Sequence, residues 1–130
     1  MPVFVVRLGS PRTAQEGLRL GTVRRPPRGV PKADFARLDY YDVWVPQLAP
    51  SQALLSVVGG PREVAAQWPR FERQFLTEMK APASAQLLDL LAAMSHRSNF
   101  AVGCYCADES RCHRSLLRRL LAARGACLSA

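Results

Sequence analysis

The chain has 130 residues, 48% of them hydrophobic, which suits a single domain with its own core and excludes wholesale disorder. The formal net charge of +8 admits a nucleic-acid partner, but all of the 18 basic residues except Lys32 and Lys80 are arginine and isoleucine is absent, a pattern typical of a GC-rich genome. Because no apolar run approaches the roughly 20 residues of a membrane span, we expect a cytoplasmic protein without a membrane partner. Its 4 cysteines are then expected to be reduced.

The predicted elements alternate between strands and helices along the chain. Short apolar runs predict strands over residues 3–8, 17–24 and 99–106. Helical periodicity predicts a short helix over 32–38 and longer ones over 52–58, from Pro61 to a break at Pro82, from a cap at Ser84 to Arg97, and over 112–124. Residues 25–31 and 40–50 contain too many prolines for a regular element. This order predicts a small single-domain α/β sandwich over residues 1–130, with a short, mostly parallel sheet flanked by helices.

Ligands of parallel sheets bind beyond the carboxyl ends of the strands. We therefore expect three loops to meet at one edge of the sheet: residues 9–12, 24–30 and 107–111. The last of these loops joins the last strand to the last helix, and three of the four cysteines flank it. One wall of any site is predicted at this joint.

Strand and helix periodicity predict which residues of this joint face a pocket and which lie in the core. Strand alternation and helix spacing let Cys106, Cys112 and His113 face one pocket, whereas Cys104 is expected in the core. A helix N-terminus favours an anion and lowers the pKa of a nearby thiol. These three residues are therefore candidate catalytic residues, with a cysteine as the nucleophile and His113 as the acid–base group.

Other interpretations of the joint stay open. The helix amides with Arg111 and Arg114 would bind phosphate or carboxylate without thiol chemistry. The run also offers four zinc-competent ligands, but adjacent Cys112 and His113 rarely serve one ion and no Cys-x-x-Cys pair is present. No metal ligand and no cofactor is therefore predicted. In the plainest interpretation the cysteines are small core residues.

A basic loop is expected opposite the joint. Arg25 and Arg28 bracket two prolines after the second strand, and planar guanidinium groups suit phosphates. We expect them to complete an anion site with Arg111 and Arg114. Three further side chains are expected to line the same pocket: Arg7, Asp42 and Trp44.

Several of these motifs occur together in a known family. The run from Arg25 to Lys32 (RPPRGVPK), Trp44 before Leu48-Ala-Pro-Ser51, and Trp68 before Phe71 and Glu78 resemble the YeaO-like members of domain of unknown function family 488. Cys106 and Cys112-His113-Arg114 resemble the Cys and Cys-His-Arg of other branches. The resemblance implies a compact α/β domain, mostly bacterial, and no known reaction.

The leading hypothesis is a pocket for a small phosphate- or carboxylate-bearing anion at the carboxyl edge of the sheet. If the protein is an enzyme, we expect a thiol-dependent hydrolase or transferase. The alternative is a non-enzymatic nucleic-acid-binding protein, whose affinity would fall steeply with salt. A zinc-binding module is the third hypothesis.

Overall fold

The computed structural model describes residues 2–129, in which four parallel strands form one sheet. The strands are β1 (Val3–Arg7), β2 (Leu18–Gly21), β3 (Val43–Trp44) and β4 (Phe100–Cys104). They lie in the order β1–β4–β2–β3, so β4 is flanked on both sides. Every residue of β4 is buried, as expected for the continuously apolar central strand of a parallel sheet.

Within residues 2–129, four α-helices pack with the sheet. They are α1 (Gln52–Val57), α2 (Trp68–Glu78), α3 (Pro82–Met94) and α4 (His113–Ala123). All four contribute to one core, in which Phe75, Leu88 and Leu116 of the helices pack with Val3 and Val102 of the sheet. The predicted α/β class with a parallel sheet is confirmed. Across the described residues, no helix is both long and apolar enough to cross a membrane.

Prolines explain why two helices have bounds that differ from the predicted ones. The helix expected from Pro61 is only a 3-10 turn over Pro61–Glu63, and α2 begins at Trp68. Pro69 lies in the first turn of α2, because its ring would clash with the carbonyl four residues earlier in a continuous helix. Pro82 likewise begins α3. Ser84 does not cap α3, because its hydroxyl donates to the carbonyl of Gln47 at 2.8 Å.

Two further segments differ from expectation. Residues 32–38 contain only the 3-10 turn Lys32–Asp34 followed by turns. The segment expected to be irregular supplies edge strand β3, whose two residues pair with β2. A two-residue strand is too short for the periodicity that identifies strands in a sequence.

Gly21 is required by the close approach of an aromatic ring. A Cβ atom at this position would lie 2.4 Å from Cδ2 of buried Tyr41. We expect Gly21→Ala to lower the free energy of unfolding by about 1–3 kcal/mol, because the ring has to move. Denaturant unfolding measures this, and adding the methyl group in a Tyr41→Ala background should cost much less. Equal costs in the two backgrounds would show that the ring is not the obstacle.

Candidate functional site

A cavity of about 550 Å³ opens at the carboxyl edge of the sheet. The basic loop after β2 forms one wall, and the end of β4 with the start of α4 forms the floor. Of the predicted site residues, the cavity is lined by Arg25, Arg28, Cys106, Cys112 and His113. Of the three loops expected at this edge, only loop 24–30 contributes to the lining. Residues 9–12 and 107–111 do not line the cavity, although Cys106 and Cys112 on either side of the latter loop do.

Three cysteine sulfurs form a cluster at the cavity floor. The Sγ atoms of Cys104, Cys106 and Cys112 all lie within 4.8 Å of one another, and those of Cys104 and Cys106 are 3.8 Å apart. Cys104 is the last residue of β4, and Cys112 immediately precedes α4 in an extended conformation. Cys112 is 1% exposed and Cys104 7%, while Cys106 is exposed at the surface. All three are free thiols.

His113 is oriented on both sides of its ring. Its Nε2 lies 2.5 Å from the carbonyl oxygen of Thr22, just after β2, and its Nδ1 lies 3.8 Å from Sγ of Cys112. A carbonyl oxygen can only accept, so Nε2 carries a proton and donates it. Nδ1 is left to exchange a proton with the Cys112 thiol. A base held by a third group beside a thiol is the arrangement of an activated cysteine nucleophile.

The electrostatics of the cluster concentrate negative charge on Cys112. Hydrogen bonds from the thiols of Cys104 and Cys106, and then the contact with His113, lower the pKa of Cys112 in spite of its burial. Burial lowers the pKa of His113, but its contact with Cys112 raises it overall. Both directions shift the proton of this pair from Cys112 towards His113.

The other two cysteines act as thiol donors. A hydrogen bond with Cys106 lowers the pKa of Cys104, but the contact with Cys112 and burial raise it to about 12. Hydrogen bonds with Cys104 and Cys112 raise the pKa of Cys106 as well. Both thiols therefore stay protonated at neutral pH. Cys104, expected only in the core, is thus buried and also part of the site.

The basic wall divides into one structural and two exposed arginines. Arg24 donates to the carbonyl oxygens of Pro46, Ala49 and Pro50, so it fixes the loop before α1. Arg25 and Arg28 are exposed at the cavity. Arg25 donates to Oε1 of Gln52 at 3.0 Å. Two guanidinium groups therefore remain accessible to a ligand in the cavity.

Arg111 and Arg114 do not line the cavity. Arg111 is exposed, and Arg114 is 3% exposed, with its Nη2 donating to the carbonyl of Cys106 at 2.6 Å. Arg114 therefore supports the loop that carries Cys106. Sequence spacing places a Cα atom on a helix face but does not show which way a long arginine side chain turns.

The three other expected lining residues do not line the cavity either. Arg7 donates through Nε to the carbonyl of Tyr105, and the indole of Trp44 donates to the carbonyl of Val23 at 2.7 Å. Asp42 accepts from Nη1 of Arg12 at 2.9 Å. These side chains position strands and loops around the site.

Two contributors were not identified in the sequence. Tyr105 lines the cavity and its hydroxyl donates to the carbonyl of Arg25 at 2.9 Å, which ties the two walls together. Its position between Cys104 and Cys106 was the available signal. Thr22 contributes only a backbone carbonyl, which no sequence pattern reveals. Apolar side chains complete the lining, among them Leu55, Val64, Pro26 and Pro50.

The comparisons with known proteins agree with the motifs. No curated protein and no solved structure matches the chain. The family model DUF488-N3a, described as the active DUF488-N3 subclade, matches residues 3–125. The match spans both walls of the cavity and the whole sheet. The chain therefore belongs to the DUF488 family, in its N3 subclade.

Proposed function

We propose that the cavity binds a small molecule with a phosphate or carboxylate group and that Cys112 attacks it. One observation carries this proposal: Sγ of Cys112 lies 3.8 Å from Nδ1 of His113 on the floor of a cavity that Arg25 and Arg28 also line. Thiolate, acid–base group and charge-stabilising groups thus share one cavity.

The reaction class follows from the roles of these groups. Sγ of Cys112 forms a bond to an acyl carbon or a phosphorus, and the leaving group departs with the proton of His113 Nδ1. Water or an acceptor alcohol or amine then attacks the covalent intermediate, returns a proton to Nδ1 and releases the thiolate. Hydrolysis results with water, and group transfer with another acceptor. The Thr22 carbonyl keeps the ring in place through both steps.

The ligand is expected to combine charge with an apolar body. The arginines suit an anionic group, because guanidinium donors bind carboxylate and phosphate in planar pairs. Leu55, Val64 and the prolines offer apolar contact for the rest of the ligand. Free thiols in such a site need a reducing compartment, so we place the protein in the cytoplasm.

The anion site is tested by calorimetric titration of inorganic phosphate at low salt. We expect Arg25→Gln/Arg28→Gln to weaken phosphate binding by on the order of tenfold to a hundredfold, since charged hydrogen bonds contribute about 1.5–3 kcal/mol. The matched control is Arg70→Gln/Arg73→Gln, which removes the same charge from exposed positions of α2. Equal weakening in the two variants would reduce the effect to net charge and overturn the site.

A further inference from the structure

The three sulfurs at the cavity floor lie close to the geometry of a thiolate metal site. Zinc–sulfur bonds of about 2.3 Å place the sulfurs of a tetrahedral site roughly 3.8 Å apart. Cys104 and Cys106 already have this separation, at 3.8 Å. Cys112 Sγ lies within 4.8 Å of both other sulfurs. Side-chain rotations that move this sulfur by about an ångström would bring all three to tetrahedral spacing.

The charges around the cluster suit the same ion. Three thiolates and one divalent ion carry a net charge of −1, which a neutral pocket would disfavour. Arg25 and Arg28 line the same cavity, and Arg114 lies directly behind Cys106. The cluster also adjoins the N-terminus of α4, where the helix dipole favours negative charge.

The fourth position of the ion would face the cavity. Cys104, Cys106 and Cys112 all line it, so a ligand in the cavity would lie next to the three cysteines. His113 is held by the Thr22 carbonyl and lies outside the group of mutually close ligand atoms. Three protein ligands with one open position are the pattern of catalytic rather than structural zinc sites.

We propose that Cys104, Cys106 and Cys112 form a site for one thiophilic divalent cation, Zn²⁺ in the first instance, whose open coordination position faces the cavity. The site uses the Cys112 sulfur, so metal binding and nucleophilic attack by Cys112 exclude each other. Binding would therefore turn a thiol-dependent site into a metal-dependent or inhibited one. Thiolate ligands favour zinc and other soft ions over magnesium or calcium.

The test is a titration of the reduced, metal-free protein with Co²⁺ and then Zn²⁺. We expect one Co²⁺ per chain, with sulfur-to-cobalt charge-transfer bands and the intense visible bands of four-coordinate cobalt, and displacement by Zn²⁺. Cys106→Ser should weaken Zn²⁺ binding at least a hundredfold in competition with a chromophoric chelator. Because Cys106 is exposed, this variant is the one least able to disturb folding. The control Cys127→Ser should bind as the wild type does.

Three results would overturn the metal site. They are the absence of charge-transfer bands, a cobalt spectrum of six-coordinate type, and Zn²⁺ binding that Cys106→Ser leaves unchanged. Phosphate titration of the metal-free protein is a separate measurement, so failure of the metal site leaves the anion site standing. If both hold, phosphate or azide added to the cobalt protein should shift its visible bands by occupying the open position.

Discussion

Replacing Cys112 with serine is expected to remove the thiolate that the wild-type protein forms at lower pH than an ordinary cysteine of pKa about 8.5. The thiols of Cys104 and Cys106 and the ring of His113 lower the pKa of Cys112. The pKa values of these three neighbours are raised in turn, that of Cys104 to about 12. An ordinary thiol is ionised to about 0.3% at about pH 6, so a larger thiolate signal there reports the lowered pKa of Cys112. Ultraviolet absorbance of the thiolate, titrated against pH, measures it.

Two variants give this titration its control. Cys127→Ser removes a thiol outside the cluster and should leave the low-pH thiolate unchanged. His113→Gln should move ionisation of Cys112 to higher pH, because the imidazolium partner is lost. A wild-type protein that gains thiolate absorbance only above about pH 8, as free cysteine does, would contradict an activated Cys112.

The largest loss of stability is expected from Arg19→Met. The Arg19 side chain is 1% exposed and its Nε donates to Oε1 of Glu16 at 2.8 Å. It also donates to the carbonyl oxygens of Ser10 and Asp39 at 2.8 and 2.7 Å. Removing one partner of a buried pair leaves the other charge uncompensated, so we expect the free energy of unfolding to fall by about 3–5 kcal/mol in chemical denaturation.

A matched ion pair on the surface provides the control. Arg37 and Asp34 have the same i,i+3 spacing, but the Arg37 side chain is 68% exposed. Arg37→Met should therefore cost only about 0–1 kcal/mol. Similar losses in the two variants would show that burial of the Arg19 pair does not determine its contribution.

The same pair predicts an acid dependence of stability. Burial raises the pKa of Glu16, but hydrogen bonds from Arg19 and Thr13 lower it overall below its ordinary value of 4.5. A carboxyl group whose pKa is lowered by folding contributes stability at pH values above its pKa in the unfolded state. This contribution is lost as the pH falls through its pKa in the folded state. The difference in unfolding free energy between wild type and Arg19→Met should therefore shrink below pH 4.5.

The strands and helices with many regular contacts could be predicted from the sequence. β1, β2, β4 and α4 each lie within a predicted element, because apolar periodicity directly reflects burial on one face. What could not be predicted depends on single residues. Pro69 lies in the first turn of α2 and Pro82 begins α3. A proline in the sequence can mark either the start or the end of a helix, so the pattern alone does not fix these bounds.

The site was predictable where backbone topology alone brings residues together. Cys106, Cys112 and His113 face one cavity with Arg25 and Arg28 because parallel strands end at the same edge. The position of Cys104 depends on how side chains pack across the joint, so spacing placed it in the core and not in the sulfur cluster. The roles of Arg111 and Arg114 depend on side-chain conformations that periodicity does not specify.

Alkylation with a charged and a neutral reagent of equal size tests the central claim most directly, because it needs both the anion site and the thiolate. The rate of modification of Cys112 by iodoacetate and by iodoacetamide would be followed by peptide mass spectrometry at low salt, near neutral pH and without metal. We predict that iodoacetate reacts faster than iodoacetamide, that phosphate protects Cys112, and that Arg25→Gln/Arg28→Gln abolishes the preference. Faster reaction with iodoacetamide in the wild-type protein, as for an ordinary thiol, would contradict an anion pocket built around Cys112.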